Sequence, residues 1–166
     1  MIQKKICLIG AYAVGKTSLV ARFVRSIFSE KYHTTLGVKI DKKIVGTPNG
    51  TVMLLIWDLS GEDEFIGADL EYMRGAAGYI LVADGTRLTS LERAAALQQR
   101  ICEKIGPVPF ILLINKSDLD AHWEVEPGHL EEYSRAGWRI LRTSAKTGQG
   151  VEAAFLSLAA SLLPAP

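Results

Sequence analysis

Cysteine is scarce in this 166-residue chain, which carries only Cys7 and Cys102. Two thiols in separate apolar segments offer no disulfide framework, and both are expected to be reduced core groups of a reducing compartment. An excess of one charge is lacking too. Nineteen Lys and Arg face eighteen Asp and Glu, for a formal net charge of +1. Such a chain has no broad electrostatic pull toward nucleic acid or a membrane surface, and no nucleic-acid partner is expected. Nor does any hydrophobic run approach the roughly 20 residues that span a bilayer. Met1-Ile2-Gln3-Lys4-Lys5 leads straight into an apolar run, so no signal peptide is read there, and Ile2 stands where myristoylation needs glycine. The chain ends Leu162-Leu163-Pro164-Ala165-Pro166, with no cysteine for prenylation and no polybasic tail. No lipid anchor is visible and a cytoplasmic location is expected. The length suits one domain over residues 1–166 with a full core.

What the chain does contain begins at residue 10. Gly10-Ala11-Tyr12-Ala13-Val14-Gly15-Lys16-Thr17 follows the apolar run from Ile6 to Ile9 and precedes an amphipathic segment. This is G-x-x-x-x-G-K-[ST] between a strand and a helix. Gly10 and Gly15 let the backbone curl, so that Ala13, Val14, Gly15, Lys16, Thr17 and Ser18 can present a ring of N–H donors to a di- or triphosphate. Lys16 adds a point charge for the outer phosphates. Thr17 opens the helix, where its hydroxyl can hold Mg²⁺ and the helix N-terminus faces the anion. A plain glycine-rich turn would account for the glycines but not for the Lys-Thr pair.

Two further motifs narrow the nucleotide. Asn115-Lys116-Ser117-Asp118 ends an apolar run, which places it at the C-terminal edge of a buried strand, where open α/β sheets bind ligands. The Asp118 carboxylate can accept two parallel N–H bonds from guanine; adenine offers neither and would leave the charge unpaired. Thr143-Ser144-Ala145-Lys146 follows another short strand-like run, and its backbone could approach the base edge with little bulk from Ser144 and Ala145. Either motif alone reads as a polar turn after a strand. Three strand-end motifs in this order do not.

Strand and helix signals alternate, which predicts an α/β fold: a six-stranded, mainly parallel sheet with helices on both faces. Strands are expected near residues 5–9, 38–46, 51–57, 79–83, 110–115 and 138–142. The turn cluster Thr47-Pro48-Asn49-Gly50 predicts a hairpin between the second and third, giving one antiparallel edge strand. A first helix is expected over about residues 16–27, with Leu19, Val20, Phe23, Val24 and Ile27 inward. A later helix should turn Leu91, Ala95, Ile101, Cys102 and Ile105 inward, and the last one Val151, Phe155, Leu158 and Leu162.

These motifs, with Thr35-Leu36-Gly37, Trp57-Asp58-Leu59-Ser60-Gly61, Arg74-Gly75-Ala76 and Ser144-Ala145-Lys146 in matching order and spacing, make the chain resemble the Ras superfamily of small GTPases, most closely its Rab-like branch, over nearly its whole length. The resemblance implies a P-loop NTPase G domain that binds GTP and GDP with Mg²⁺. It implies that Thr35 binds Mg²⁺ and the γ-phosphate, that Asp58 holds Mg²⁺ through water, and that the Gly61 N–H meets the γ-phosphate. Phe28 matches the aromatic against the guanine ring and Tyr32 the one across the phosphates. Ile40, Trp57 and Tyr72 match the apolar positions that show nucleotide state to effector, exchange and activating proteins.

The departures bear on catalysis. Glu62 stands where the family places the Gln that orients the attacking water, and a carboxylate cannot donate as an amide does. Tyr12 occupies a position that is small in many relatives, beside the approach of a partner's arginine. Rab-like proteins usually end in cysteines, which this chain does not; either the sequence is cut short of them, or the protein works without a lipid anchor, as a bacterial relative would. Three readings compete. One is a switch that hydrolyses GTP slowly, with Lys16, Thr35, Gly61 and Glu62 at the reacting phosphate. The second is a GTP-binding module with little or no hydrolysis, read by effectors as a surface. The third, a P-loop nucleotide kinase, leaves Asp58 to Gly61, Asn115 to Asp118 and Ser144 to Lys146 unexplained.

Overall fold

Three apolar runs too short for helices, and without alternation, form the middle of the sheet. They are β1 (Gln3–Gly10), β4 (Gly78–Asp84) and β5 (Phe110–Asn115). All seven residues of β4 are buried, as befits a parallel strand covered on both faces. The structure, a computed structural model, describes residues 1–29, 38–59 and 70–166. Around the central strands lie β2 (Val38–Thr47), β3 (Gly50–Leu59) and β6 (Ile140–Arg142), in the order β2-β3-β1-β4-β5-β6. Among the described residues only β2 and β3 pair antiparallel, in a hairpin closed at Thr47↔Gly50 where the turn cluster predicted it. The mainly parallel sheet with one antiparallel edge strand is thus the expected one.

Four helices are described: α1 (Lys16–Arg25), α2 (Leu88–Ile105), α3 (Pro127–Arg135) and α4 (Val151–Ser161). Alternate strand residues feed two cores. On one face Ile6, Leu8, Ile56 and Val82 meet Leu19 and Phe23 of α1 and Phe155 and Leu158 of α4. On the other, Cys7, Ile9, Leu81 and Ile114 meet Leu91, Leu97 and Ile101 of α2. Phe23 and Phe155 stack with ring centroids 4.1 Å apart, fixing α1 against α4.

The differences from expectation have local causes. Helix α1 stops at Arg25 because Ser26 takes a left-handed conformation (φ 56°), so Ile27 lies past the end and is 56% exposed instead of inward. The inward stripe of α2 runs through Ala94 and Leu97; Ala95, Cys102 and Ile105 are half-buried at its margin. Strand β6 starts at Ile140, because Trp138 donates its N–H to the Tyr133 carbonyl and closes the end of α3, while its ring packs on Tyr133 and Phe110. Helix α3 has no fully buried residue, so it shows no strong apolar stripe. Its signal is at the start: Pro127 in the first turn and a reciprocal cap between Glu126 and His129.

Candidate functional site

Parallel pairing brings the C-terminal ends of β1, β3, β4, β5 and β6 to one edge of the sheet. Asp84 lies beside Asn115 in the β4–β5 register, and Leu8 beside Asp58 in β1–β3. The loop from Gly10 to Gly15 leaves β1 at this edge and enters α1. Ala13 (φ 61°) and Gly15 (φ 104°) both take left-handed conformations, the alternation that curls a backbone into a nest of N–H groups. A Cβ on Gly15 would come within 2.3 Å of Asn115 Nδ2. No other residue fits there.

The loop's carbonyls are nearly all claimed by side chains. Lys16, only 6% exposed, donates from Nζ to the Gly10 and Ala11 carbonyls, both at 3.2 Å. Asn115 Nδ2 donates to Val14 O at 3.0 Å and Lys116 Nζ to Ala13 O at 2.9 Å. The Gly15 carbonyl starts the α1 ladder by accepting from the Leu19 N–H at 2.9 Å. Ser18 is half-buried in the first turn of α1.

The two strand-end motifs after β5 and β6 meet each other as well. Ser144 donates to Asp118 Oδ1 at 2.7 Å, and Thr143 Oγ1 to Asn115 Oδ1 at 3.1 Å. Arg22 of α1 donates from Nε to the Ala145 carbonyl at 2.7 Å and from Nη2 to that of Lys146. The loop after β6 is therefore tied to the same helix that opens at the phosphate loop. Ser144 and Ala145 are buried, Lys146 and Asp118 exposed, and Phe28 is 36% exposed beyond α1.

A cation fits beside Thr17. The Thr17 hydroxyl donates to Asp58 Oδ2 at 2.5 Å, while Asp58 Oδ1 is buried with no hydrogen-bond partner among the described residues. Burial pushes the Asp58 carboxyl above its ordinary range, against the Thr17 hydrogen bond and the nearby Lys16. An orphaned buried carboxylate oxygen next to a hydroxyl is a donor set suited to a hard, oxygen-loving ion such as Mg²⁺. Among the described residues no group of three His, Cys, Asp or Glu could hold a metal. That is expected where water and phosphate supply most ligands. Thr35, Tyr32, Gly61 and Glu62 lie outside the described residues.

At the β2–β3 end, Ile40 faces Trp57 across the hairpin and is 48% exposed. The half-buried Trp57 ring lies 6.1 Å from that of Tyr72, with the Lys5 ammonium 3.8 Å from its centroid. Two residues of the edge that sequence reasoning missed are Asp84 and Arg87. Asp84, 2% exposed, accepts from the Thr86 N–H (2.8 Å) and hydroxyl (2.7 Å), from Lys116 Nζ (2.9 Å) and from Arg87 Nε (3.3 Å). Their signal was position: an acid at the C-terminal end of the central strand.

Among known proteins, the model of the Ras family matches residues 5–163. The chain is 35% identical to the Ras-related protein Rab-13 of Bos taurus over 161 residues, covering 96% of this chain and 79% of that one. It is 34% identical to Rab-4B of Rattus norvegicus, with 96% and 76% covered, and 30% identical to Rab-32 of Homo sapiens, with 96% and 74% covered. No helix among the described residues is long and apolar enough to cross a membrane. With its glycine-rich loop, strand-end motifs and sheet order in one arrangement, the chain belongs to the Ras family of small GTP-binding proteins, on its Rab-like branch.

Proposed function

We propose that this chain, as a single G domain over residues 1–166, is a guanine-nucleotide switch that binds GTP and GDP with Mg²⁺ and hydrolyses GTP slowly. The observation that carries the reading is the convergence of Asn115 and Lys116 on the phosphate-loop carbonyls, with Asp118 held by Ser144 on the same side of the sheet. A loop whose carbonyls are held from behind is left with its N–H groups for phosphate. Guanine is read by Asp118, with Phe28, Ser144, Ala145 and Lys146 around the base. Thr17 and Thr35 would hold Mg²⁺ directly and Asp58 through water; the ion supplies charge neutralisation at the phosphates. Lys16 supplies a fixed positive charge, and the Gly61 N–H a donor, where negative charge develops.

Slow hydrolysis follows from Glu62. It can accept from the attacking water but cannot donate to a phosphate oxygen, and its charge opposes what Lys16 stabilises. A carboxylate is also a weak general base near neutral pH. Single-turnover hydrolysis of bound GTP tests this: Glu62→Gln is expected to raise the rate several-fold, roughly 1 kcal/mol of barrier. A lower rate would make Glu62 a productive catalytic group. The second reading, a GTP-held surface with little hydrolysis, rests on Tyr12, a bulky residue that is 44% exposed on the phosphate loop and would crowd a partner's arginine if turned toward the phosphates rather than outward. Partners would read the nucleotide state through Ile40, Trp57 and Tyr72, whose apolar atoms are part-exposed in one cluster.

A further inference from the structure

The phosphate loop is held by more than its own motif. Counting carbonyls from Gly10 to Gly15, Lys16 takes the first two, Asn115 that of Val14 and the α1 ladder that of Gly15. The two between belong to cations from outside the loop. Arg87 Nη2 donates to Tyr12 O at 2.5 Å, and Lys116 Nζ to Ala13 O at 2.9 Å. Both cations rest on one carboxylate oxygen, Asp84 Oδ2, at 3.3 Å from Arg87 Nε and 2.9 Å from Lys116 Nζ. Asp84 Oδ1 is meanwhile fixed by the backbone and hydroxyl of Thr86. The Asp84 backbone is locked as well, its N–H donating to the Ser90 hydroxyl at 2.8 Å.

We propose that Asp84 and Arg87 are positioning residues for nucleotide binding: a fork, rooted at the end of β4, that sets the Tyr12 and Ala13 peptide planes so that the next two N–H groups face the phosphates. The proposal rests on the nucleotide reading above and adds two residues to it. Its physics is the planarity of the peptide. In a trans peptide the C=O and the following N–H point opposite ways. Drawing the Tyr12 and Ala13 carbonyls out to Arg87 and Lys116 therefore turns the Ala13 and Val14 N–H groups to the other side of the loop. Ala13 sits in the left-handed region at φ 61°, a conformation that a non-glycine residue keeps only when its surroundings hold it. The fork also joins the two halves of the site, since Lys116 belongs to the base-side motif and Arg87 holds a carbonyl of the phosphate loop.

Arg87 is the member to test, because its side chain is 40% exposed and its replacement leaves no buried charge behind other than one still paired with Lys116. The experiment is release of a fluorescent GDP from the Mg²⁺-loaded protein, with ³¹P NMR of bound GDP as the second readout. Arg87→Ala is expected to release GDP about tenfold faster, the loss of roughly one charge-assisted hydrogen bond, and to shift the β-phosphate resonance. Arg87→Lys, which can reach Asp84 or the Tyr12 carbonyl but lacks the fork to span both, is expected to fall between. Preference for GDP over IDP should not change in either variant, because among the described residues the side chain of Arg87 bonds to Asp84 and the Tyr12 carbonyl and not to the base-side motifs. Release within twofold of the unmodified rate, an unmoved β-phosphate signal, a lysine variant no better than alanine, or a changed base preference would each overturn the proposal. Failure of the unmodified protein to bind GDP would overturn the nucleotide reading and the fork with it, and the unmodified protein alone reveals that case.

Discussion

Two carboxylates at the same sheet edge are treated oppositely by their surroundings. Asp58 is buried with an oxygen unsatisfied, and its carboxyl is pushed up; Asp84 is as deeply buried, but hydrogen bonds from Thr86 and the charge of Lys116 outweigh that burial and hold it down. A depressed folded-state value means the unfolded chain binds the proton more readily, so Asp84 contributes stability above its ordinary value of 3.8 that is lost as the pH falls through and below it. Urea unfolding from about pH 5 down to about pH 3 should show that loss, and Asp84→Asn should flatten it. An equally steep loss in the variant would place the effect elsewhere. Cys7 makes a third residue-level case: burial raises its thiol to about 12, and its Sγ lies 3.7 Å from the Tyr72 carbonyl. It is therefore expected to resist a thiol reagent until the protein unfolds, while half-buried Cys102 reacts in the folded state. Two thiols reacting together at the native rate would contradict this.

Among the elements, the turn after β4 is the tightest joint. The Gly85 carbonyl accepts from the Glu124 and Val125 N–H groups at 2.8 and 3.2 Å, and Glu124 Oε1 caps α2 by accepting from the Leu88 N–H at 2.8 Å. Trp123 lies flat over Gly85, so that a Cβ there would come within 2.0 Å of its ring, and the Arg142 guanidinium stacks 4.1 Å from that ring. Gly85→Ala must push the indole away from both, at a cost of about 1–3 kcal/mol. Adding Trp123→Ala should recover part of that cost, so the pair should be non-additive in chemical denaturation. Strict additivity would mean the strain is in the backbone and not against the ring. Between α1 and α4 the Phe23–Phe155 stack plays the locking role, and Phe155→Ala is expected to cost about 3–5 kcal/mol by emptying a fully buried site.

At the scale of the molecule, one edge of the sheet gathers the described residues of the candidate site, and two measurements read it as a whole. Asp118→Asn is expected to weaken GDP binding and move preference toward xanthine nucleotides, whose base presents an acceptor where guanine presents a donor. Equal affinity of the unmodified protein for ATP and GTP would rule out that assignment. Chelation of Mg²⁺ is expected to speed GDP release, and Thr17→Asn to weaken GTP binding more than GDP binding. An unchanged release rate after chelation would mean that the Thr17–Asp58 pair holds no ion. Trp57 offers a reporter for the partner surface, because it lies between Ile40 and Tyr72. Exchange of GDP for a non-hydrolysable GTP analogue should change tryptophan fluorescence, and Trp57→Phe should abolish that change.

The sequence by itself determined the mainly parallel sheet and its antiparallel hairpin. Strand cores such as Ile80 to Ala83 are continuous apolar runs, and a buried parallel strand leaves no other trace. Gly10 to Thr17 and Asn115 to Asp118 stood out in the sequence because the phosphate and guanine binding proposed for them would need particular residue types at fixed spacing. The end of α1 escaped because an apolar stripe cannot report a single left-handed residue, Ser26, that stops the helix before Ile27. Helix α3 escaped because it buries no residue fully and so imposes no period on its sequence. The fork of Asp84, Arg87 and Lys116 was decided by tertiary structure alone. Arg87 reaches the Tyr12 carbonyl across 75 residues of chain, and Asp84 meets Lys116 only because β4 and β5 pair in register at their ends. Local chemistry writes itself into spacing, whereas a hydrogen bond between distant loops depends on strand order and register, which no short stretch of sequence contains.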